Sequence, residues 1–297
     1  MRAAPPVILP DPPEPPEPMG LIAGGGRLPI LVAEGMRSMG HPVRCLGLRG
    51  QYPDELPALC DRFDEAAALR LGSWGPRLRR LGVRYAVMVG RVDKAKLMHN
   101  WWGIIANRPD WRAIRLWLRI SKDRRSHLML AAIANELTRD GVQLIDSTAH
   151  IMDHMASVGI MGHIQPTTRQ KSDFALGWPL LQEMLRLDVG QAIAVREGDV
   201  VAVEAVEGTD RMIERVGELC RSGGWTLLKG ARAGHDRRAD VPTVGPDTIE
   251  LMHKKGGRCL VLAAGDVIII DRPKTVALAD RLGVAMVGIG PEGIEGA

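Results

Sequence analysis

Residues 20–29 read GLIAGGGRLP, a short apolar run that breaks into three glycines and then a proline. Gly20 to Ala23 has the character of a buried strand. Gly24, Gly25 and Gly26 end it. Pro29 suits the first turn of a helix whose apolar positions are Ile30, Leu31, Ala33 and Met36, ending near Gly40. Strand, glycine loop and helix in that order open a nucleotide-binding βαβ unit, where backbone N–H groups at the helix start face a phosphate. The stretch is neither G-x-G-x-x-G nor a P-loop, because no Lys-Ser/Thr pair follows. The same glycines suit a tight turn in which a missing Cβ only permits close packing. These ten residues leave both readings open.

Downstream the pattern repeats. Residues 43–48 predict a second strand, residues 69–81 a partly helical segment, and residues 85–89 a third strand ending at Gly90 and Arg91. Such alternation predicts an α/β fold with a mostly parallel sheet. Ligands bind at the carboxyl ends of parallel strands, so the glycine loop and residues 90–94 are expected on one rim. Residues 111–125 (WRAIRLWLRISKDRR) form a basic amphipathic helix with Arg112, Arg115, Arg119 and Lys122 on one face. That pattern fits a membrane-surface helix and equally a helix with a solvated basic face. A further helix is expected over 126–140 and a strand over 142–145. His150 and His154 share a helical face, but no Glu follows in the H-E-x-x-H manner, so zinc is not expected there.

The second half turns on residues 188–245. A valine-rich run, 200–206, predicts a strand that releases Glu204, Glu207, Thr209 and Asp210; Met212, Ile213, Val216 and Leu219 then follow a helical period, with Thr209 or Asp210 as the cap. A second run, 225–228, leads through Lys229 into HDRRADVP, residues 235–242, which Pro242 and Gly245 keep from becoming helix. Two strand ends thus present carboxylates beside Lys229, Arg237 and Arg238, a set that suits a phosphate-bearing ligand and a hard cation. Solvated loops and a helix cap would use the same residues. A turn is expected at 172–179 before a helix over 180–187. A strand follows over 192–195, then a helix over 247–255. The last elements are strands at 259–263, 267–270 and 284–289, with a helix over 275–282.

Eight prolines fall within residues 1–18, which predicts an extended, disordered tail with Met19 as the functional start. The domain join is expected near 146–152. This gives an N-terminal Rossmann-like domain over 19–148 and a C-terminal α/β domain over 149–297. The 297 residues carry a net charge of +4, too small an excess to imply nucleic acid. None of the four cysteines forms a C-x-x-C pair, so a thiolate zinc site is excluded and reduced, cytosolic thiols are expected. No apolar run approaches the roughly 20 residues of a bilayer span, and no signal-peptide core is present.

Taken together and in order, these motifs resemble the LpxI-type UDP-2,3-diacylglucosamine pyrophosphatases. The matching pieces are Gly20 to Gly26 with Leu28-Pro29, Asp188-Val-Gly-Gln191, Ala202 to Asp210, Lys229, Asp236-x-Arg238-x-Asp240-x-Pro242, and Gly245. The resemblance implies two α/β domains with a ligand cleft between them. It implies magnesium-dependent hydrolysis of UDP-2,3-diacylglucosamine to 2,3-diacylglucosamine 1-phosphate (lipid X) and UMP in lipid A biosynthesis. It also implies a homodimer, cytoplasmic and in peripheral contact with the inner membrane. An Asp within 235–242 is essential in that family; Asp240 is the match and Asp236 the alternative. The site expected here has Asp240, Asp236 and Asp210 as catalytic groups. Asp240, Asp210 and Glu207 serve as magnesium ligands. Gly24, Gly25, Gly26, Gln191, Thr209, Lys229 and Arg238 contact substrate. His235 stands where that family usually has Gln. Two other readings remain: a non-catalytic lipid- or nucleotide-binding homologue, and a dinucleotide oxidoreductase. The latter lacks the acidic residue expected after the second strand, where Leu48-Arg49 stands.

Overall fold

Strand β1, Met19–Ala23, is buried along its whole length and sits at the middle of the first sheet. The computed structural model describes residues 9–92, 109–120, 126–238, 241–291 and 293. They fall into two compact units: one formed by Met1–Met152 with Asp236–Asp240, the other by Asp153–His235 with Val241–Ala297.

In the first unit, β1 is followed by helix α1, Leu28–Ser38, with Pro29 in its first turn. Then come β2 (Val43–Leu48), β3 (Arg62–Ala66), helix α2 (Leu71–Arg80) and β4 (Tyr85–Val89). Helices α3 (Trp111–Ile120) and α4 (Ser126–Arg139) lead to the short β5 (Gln143–Leu144). The sheet order is β3-β2-β1-β4-β5, all parallel. This is the order of a Rossmann half, with its switch point between β1 and β4. The run at 85–89 is the fourth strand rather than the third. The missed strand, RFDEA, is charged because it lies on the sheet edge: Asp64 pairs with Arg77, and Glu65 with Arg49. Of the proline-rich tail, residues 1–8 lie outside the described residues. At its end, the Glu17 carbonyl meets His41 Nδ1 at 2.9 Å.

The second unit carries a six-stranded mixed sheet. Its strands are β6 (Gly159–Ile160), β7 (Ala192–Arg196), β8 (Asp199–Val203), β9 (Trp225–Lys229), β11 (Gly257–Ala263) and β13 (Ala285–Ile289), in the order β6-β13-β11-β9-β7-β8. The pair β10 (Thr243–Val244) and β12 (Ile268–Ile269) stands apart. Helix α5 spans Thr168–Leu187, so the turn expected at 172–179 is helix interior, with Pro179 inside it. A capping box between Thr167 and Gln170 starts this helix, and Phe174, Trp178, Leu181 and Leu185 bury one face in the core. That burial outweighs the hydrogen bond Pro179 cannot make. Helices α6 (Thr209–Leu219), α7 (Pro246–Lys254) and α8 (Arg272–Leu282) complete the unit. β8 is antiparallel to β7 and β7 to β9, so β8 and β9 point the same way and end on one rim.

Candidate active site

On the second unit's rim, two strand ends converge. The Glu204 N–H donates to the Ala192 carbonyl at 2.9 Å, and the Gly230 N–H to the Gln191 carbonyl at 3.0 Å. The loop 188–191 is thereby pinned beside both strands. A Cβ at Gly190 would stand 2.0 Å from the Glu204 carbonyl oxygen, so only glycine fits there. Asp188 takes the left-handed conformation that terminates α5. Its place is a helix cap, which Asp tolerates better than most residues.

Glu204 is the buried carboxylate of this rim. It is 8% exposed, and Lys229 beside it 6%. The Lys229 ammonium donates to Thr209 Oγ1 at 2.7 Å, and the Thr209 hydroxyl donates to Glu204 Oε1 at 3.1 Å. Glu204 Oε2 is buried with no hydrogen-bond partner. Burial pushes the Glu204 carboxyl above the usual range, while the Lys229 charge, the Thr209 hydroxyl and the Gln191 backbone N–H oppose that rise. Burial thus raises the proton affinity of this carboxylate. Sequence reasoning placed Glu204 in its cluster but not among the site residues. The signal was present: it is the first acid after the valine run, level with Lys229 across the sheet.

Other expected members are placed differently. Thr209 is the first residue of α6 rather than its cap; Gly208 occupies the cap position, and no side chain caps the helix. The first-turn N–H groups of α6 therefore remain for water or a ligand. Asp210 is exposed in that turn. Glu207 fixes its own loop: Oε1 accepts from Arg215 at 2.5 Å and Oε2 from the Ala205 N–H at 3.1 Å. Its own backbone N–H and the Arg215 guanidinium hold the Glu207 carboxyl below its ordinary value.

The first unit contains the other two groups. Gly24 N–H donates to the Val89 carbonyl and Gly25 N–H to the Arg91 carbonyl, at 2.8 and 2.7 Å. A Cβ at Gly24 would lie 2.6 Å from the Arg91 carbonyl oxygen, and one at Gly25 2.9 Å from that of Gln51. These two glycines serve close backbone packing, and their N–H groups are engaged within the protein. Gly26 has open space where a side chain would stand. The loop and residues 90–91 do share a rim; residues 93 and 94 lie outside the described residues.

Asp236 and Arg238 pair with each other through three side-chain hydrogen bonds, the shortest 2.6 Å, and both are largely buried. Arg237 holds the segment in place. Its Nε donates to Asp146 Oδ2 and its terminal nitrogen to Thr148 Oγ1, both at 2.7 Å. The Arg237 carbonyl accepts from the Ser147 N–H and hydroxyl. Asp240 lies outside the described residues. Among the described residues, no three Asp, Glu, His or Cys side chains assemble into a metal set. Of the expected ligands, Glu207 accepts from Arg215 and Asp210 is exposed, while Asp240 is one of the residues not described.

A sequence model of the LpxI N-terminal domain matches residues 18–154, and one of the LpxI C-terminal domain matches residues 157–287. The UDP-2,3-diacylglucosamine pyrophosphatase LpxI of Caulobacter vibrioides is 30% identical over 292 residues, which cover 92% of this chain and 98% of that protein. Among solved structures, glycinamide-RNase-transformylase T from Mycobacterium tuberculosis aligns with 63% of this chain over 44% of its own, at 12% identity and a TM-score of 0.22. That likeness is too slight to argue from.

Proposed function

The chain belongs to the LpxI family, and on that premise we propose that it hydrolyses the pyrophosphate bond of UDP-2,3-diacylglucosamine, giving 2,3-diacylglucosamine 1-phosphate and UMP in lipid A biosynthesis. The observation that carries this reading on the protein's own terms is the buried Glu204, Thr209 and Lys229 set at the start of an uncapped helix.

Hydrolysis needs an attacking water, an acceptor for its proton and compensation of charge on the phosphoryl oxygens. Glu204 Oε2 is the acceptor: its second oxygen is held by Thr209, and burial raises its proton affinity. The first-turn N–H groups of α6 and the Lys229 ammonium provide positive potential for phosphoryl oxygens. Asp210 stands in the same turn and orients the water. Asp240 acts as the essential carboxylate of its segment, and Arg237 positions that segment through Asp146. Arg238, paired with Asp236, organises the segment and brings positive charge to it. Magnesium dependence, homodimerisation and residence at the inner-membrane surface belong to the proposal as separate expectations.

Mass spectrometry of purified protein with UDP-2,3-diacylglucosamine and magnesium, with and without EDTA, tests it. Lipid X and UMP are the expected products, and their loss with EDTA would establish the metal requirement. Asp240→Ala should fold and lose turnover. A folded wild-type protein that leaves the substrate intact would overturn the reading.

A further inference from the structure

Helix α3 turns its apolar side outward. Trp111 is 72% exposed, Leu118 56% and Ile114 36%, and their spacing of three and four residues puts them on one face. Leu69, 39% exposed, extends the stripe, because its carbonyl accepts the Asp110 N–H at the start of α3. Of the basic face expected here, the Arg119 side chain and Lys122 lie outside the described residues, and the two described arginines are paired. Arg112 pairs with Asp140 at 2.8 Å, and Arg115 reaches Glu136 at 3.8 Å. Leu116 is the residue α3 buries.

Around this stripe arginines outnumber acids. Helices α2, α3 and α4 hold seven arginines to one glutamate. That glutamate, Glu136, is engaged by Arg115 and Arg139. The flanking acids are spent as well: Asp140 on Arg112, and Asp110 on the backbone N–H groups of Gly72 and Ala113. Arg70, Arg79 and Arg80 are exposed. A second copy of the chain laid symmetrically on this face would set arginine against arginine. An anionic surface with an apolar interior complements both the charge and the stripe.

We propose that α3 docks this unit on an anionic lipid bilayer, with Trp111, Ile114 and Leu118 entering the headgroup–acyl boundary and the exposed arginines of α2 meeting lipid phosphates. The surface is assigned from its exposure and charge; it rests on the proposed residence at the inner-membrane surface and names the element that would provide it, while its vesicle test needs no turnover.

Co-sedimentation of the full chain with phosphatidylcholine vesicles, with and without phosphatidylglycerol, reads it directly without substrate. The protein should pellet with the anionic vesicles and dissociate at high salt. Trp111→Ser and Leu118→Ser should each weaken partitioning by ~tenfold. Arg79→Ser and Arg80→Ser should each weaken it by ~fivefold. All four side chains are exposed, so these variants should retain the wild-type circular dichroism. Wild-type protein that stays in the supernatant, equal binding to neutral vesicles, or unchanged binding by Trp111→Ser and Leu118→Ser would each overturn the proposal. So would light scattering that shows a dimer converted to monomer by Trp111→Ser, since a second copy would then own the face.

Discussion

Replacing Lys229 by Met isolates the electrostatics of the Glu204 site. The methionine keeps the apolar stem in a position 6% exposed, and removes the ammonium that donates to Thr209 at 2.7 Å. Glu204 then stays buried with the Thr209 hydroxyl and the Gln191 backbone N–H, but no cation, to oppose desolvation. Removing one partner of a buried pair costs about 3–5 kcal/mol. With a urea slope of about 2 kcal/mol/M, the lower figure moves the midpoint by roughly 1.5 M. The cost has a definite pH dependence. Burial already raises the Glu204 carboxyl in the folded state, so its stabilising contribution is present below the unfolded carboxyl range and lost as pH rises through the raised folded value. In Lys229→Met that value rises further. The variant should therefore approach wild type in acid and fall away steadily toward neutral pH. Adding Glu204→Gln should flatten the slope and recover about 2 kcal/mol. Urea unfolding of wild type, both single variants and the double variant across pH gives the complete cycle. Equal midpoints for Lys229→Met and wild type at neutral pH would refute the pairing, as would parallel pH slopes.

Gly190→Ala places a Cβ 2.0 Å from the Glu204 carbonyl, so it should cost more than about 3 kcal/mol in thermal or urea unfolding and lose turnover, because the loop and strand must separate. His150 is buried against His41 with neither ring nitrogen hydrogen-bonded, and burial lowers its pKa from 6.5 to about 4. The unfolded chain binds that proton first. Stability is therefore present above about 6.5 and lost as pH falls toward about 4, by about 2–3 kcal/mol, and His150→Phe should remove this part of the acid slope. Arg237→Met should release the 236–240 segment from Asp146 and Thr148. Turnover should drop by about two orders of magnitude while secondary structure by circular dichroism is retained, as expected for a displaced catalytic group.

What could be read directly was local. Residues 43–48 and 85–89 are apolar runs bounded by breakers, and they form β2 and β4 at those positions. β3 escaped because an edge strand with neighbours on one side tolerates Arg62, Asp64 and Glu65, so its alternation is hidden by charge. Trp178-Pro179 reads as a turn until the core on the other side of α5 is known. The site divides in the same way. Glu204, Thr209 and Lys229 are visible as residue types, but only the pairing of β7 with both β8 and β9 reveals which acid is buried and which pairs outward with Arg215. The arginines of α3 had a legible partner pattern: Glu136 on α4 and Asp140 just past its end are four apart, close to the three-residue step from Arg112 to Arg115.

The chain enters the second unit at Asp153 and lends Asp236–Asp240 back to the first. This sets an order of events during synthesis. The first unit's five strands can pair as soon as they leave the ribosome, but the anchorage at Asp146 and Thr148 must wait for Arg237. About 80 further residues have to be made first, a delay of roughly 4–16 s at ordinary elongation rates. Through that interval Asp146 sits in nascent protein without its guanidinium. A messenger stopped between codons 153 and 236 would yield an N-terminal product with a complete sheet and no strap.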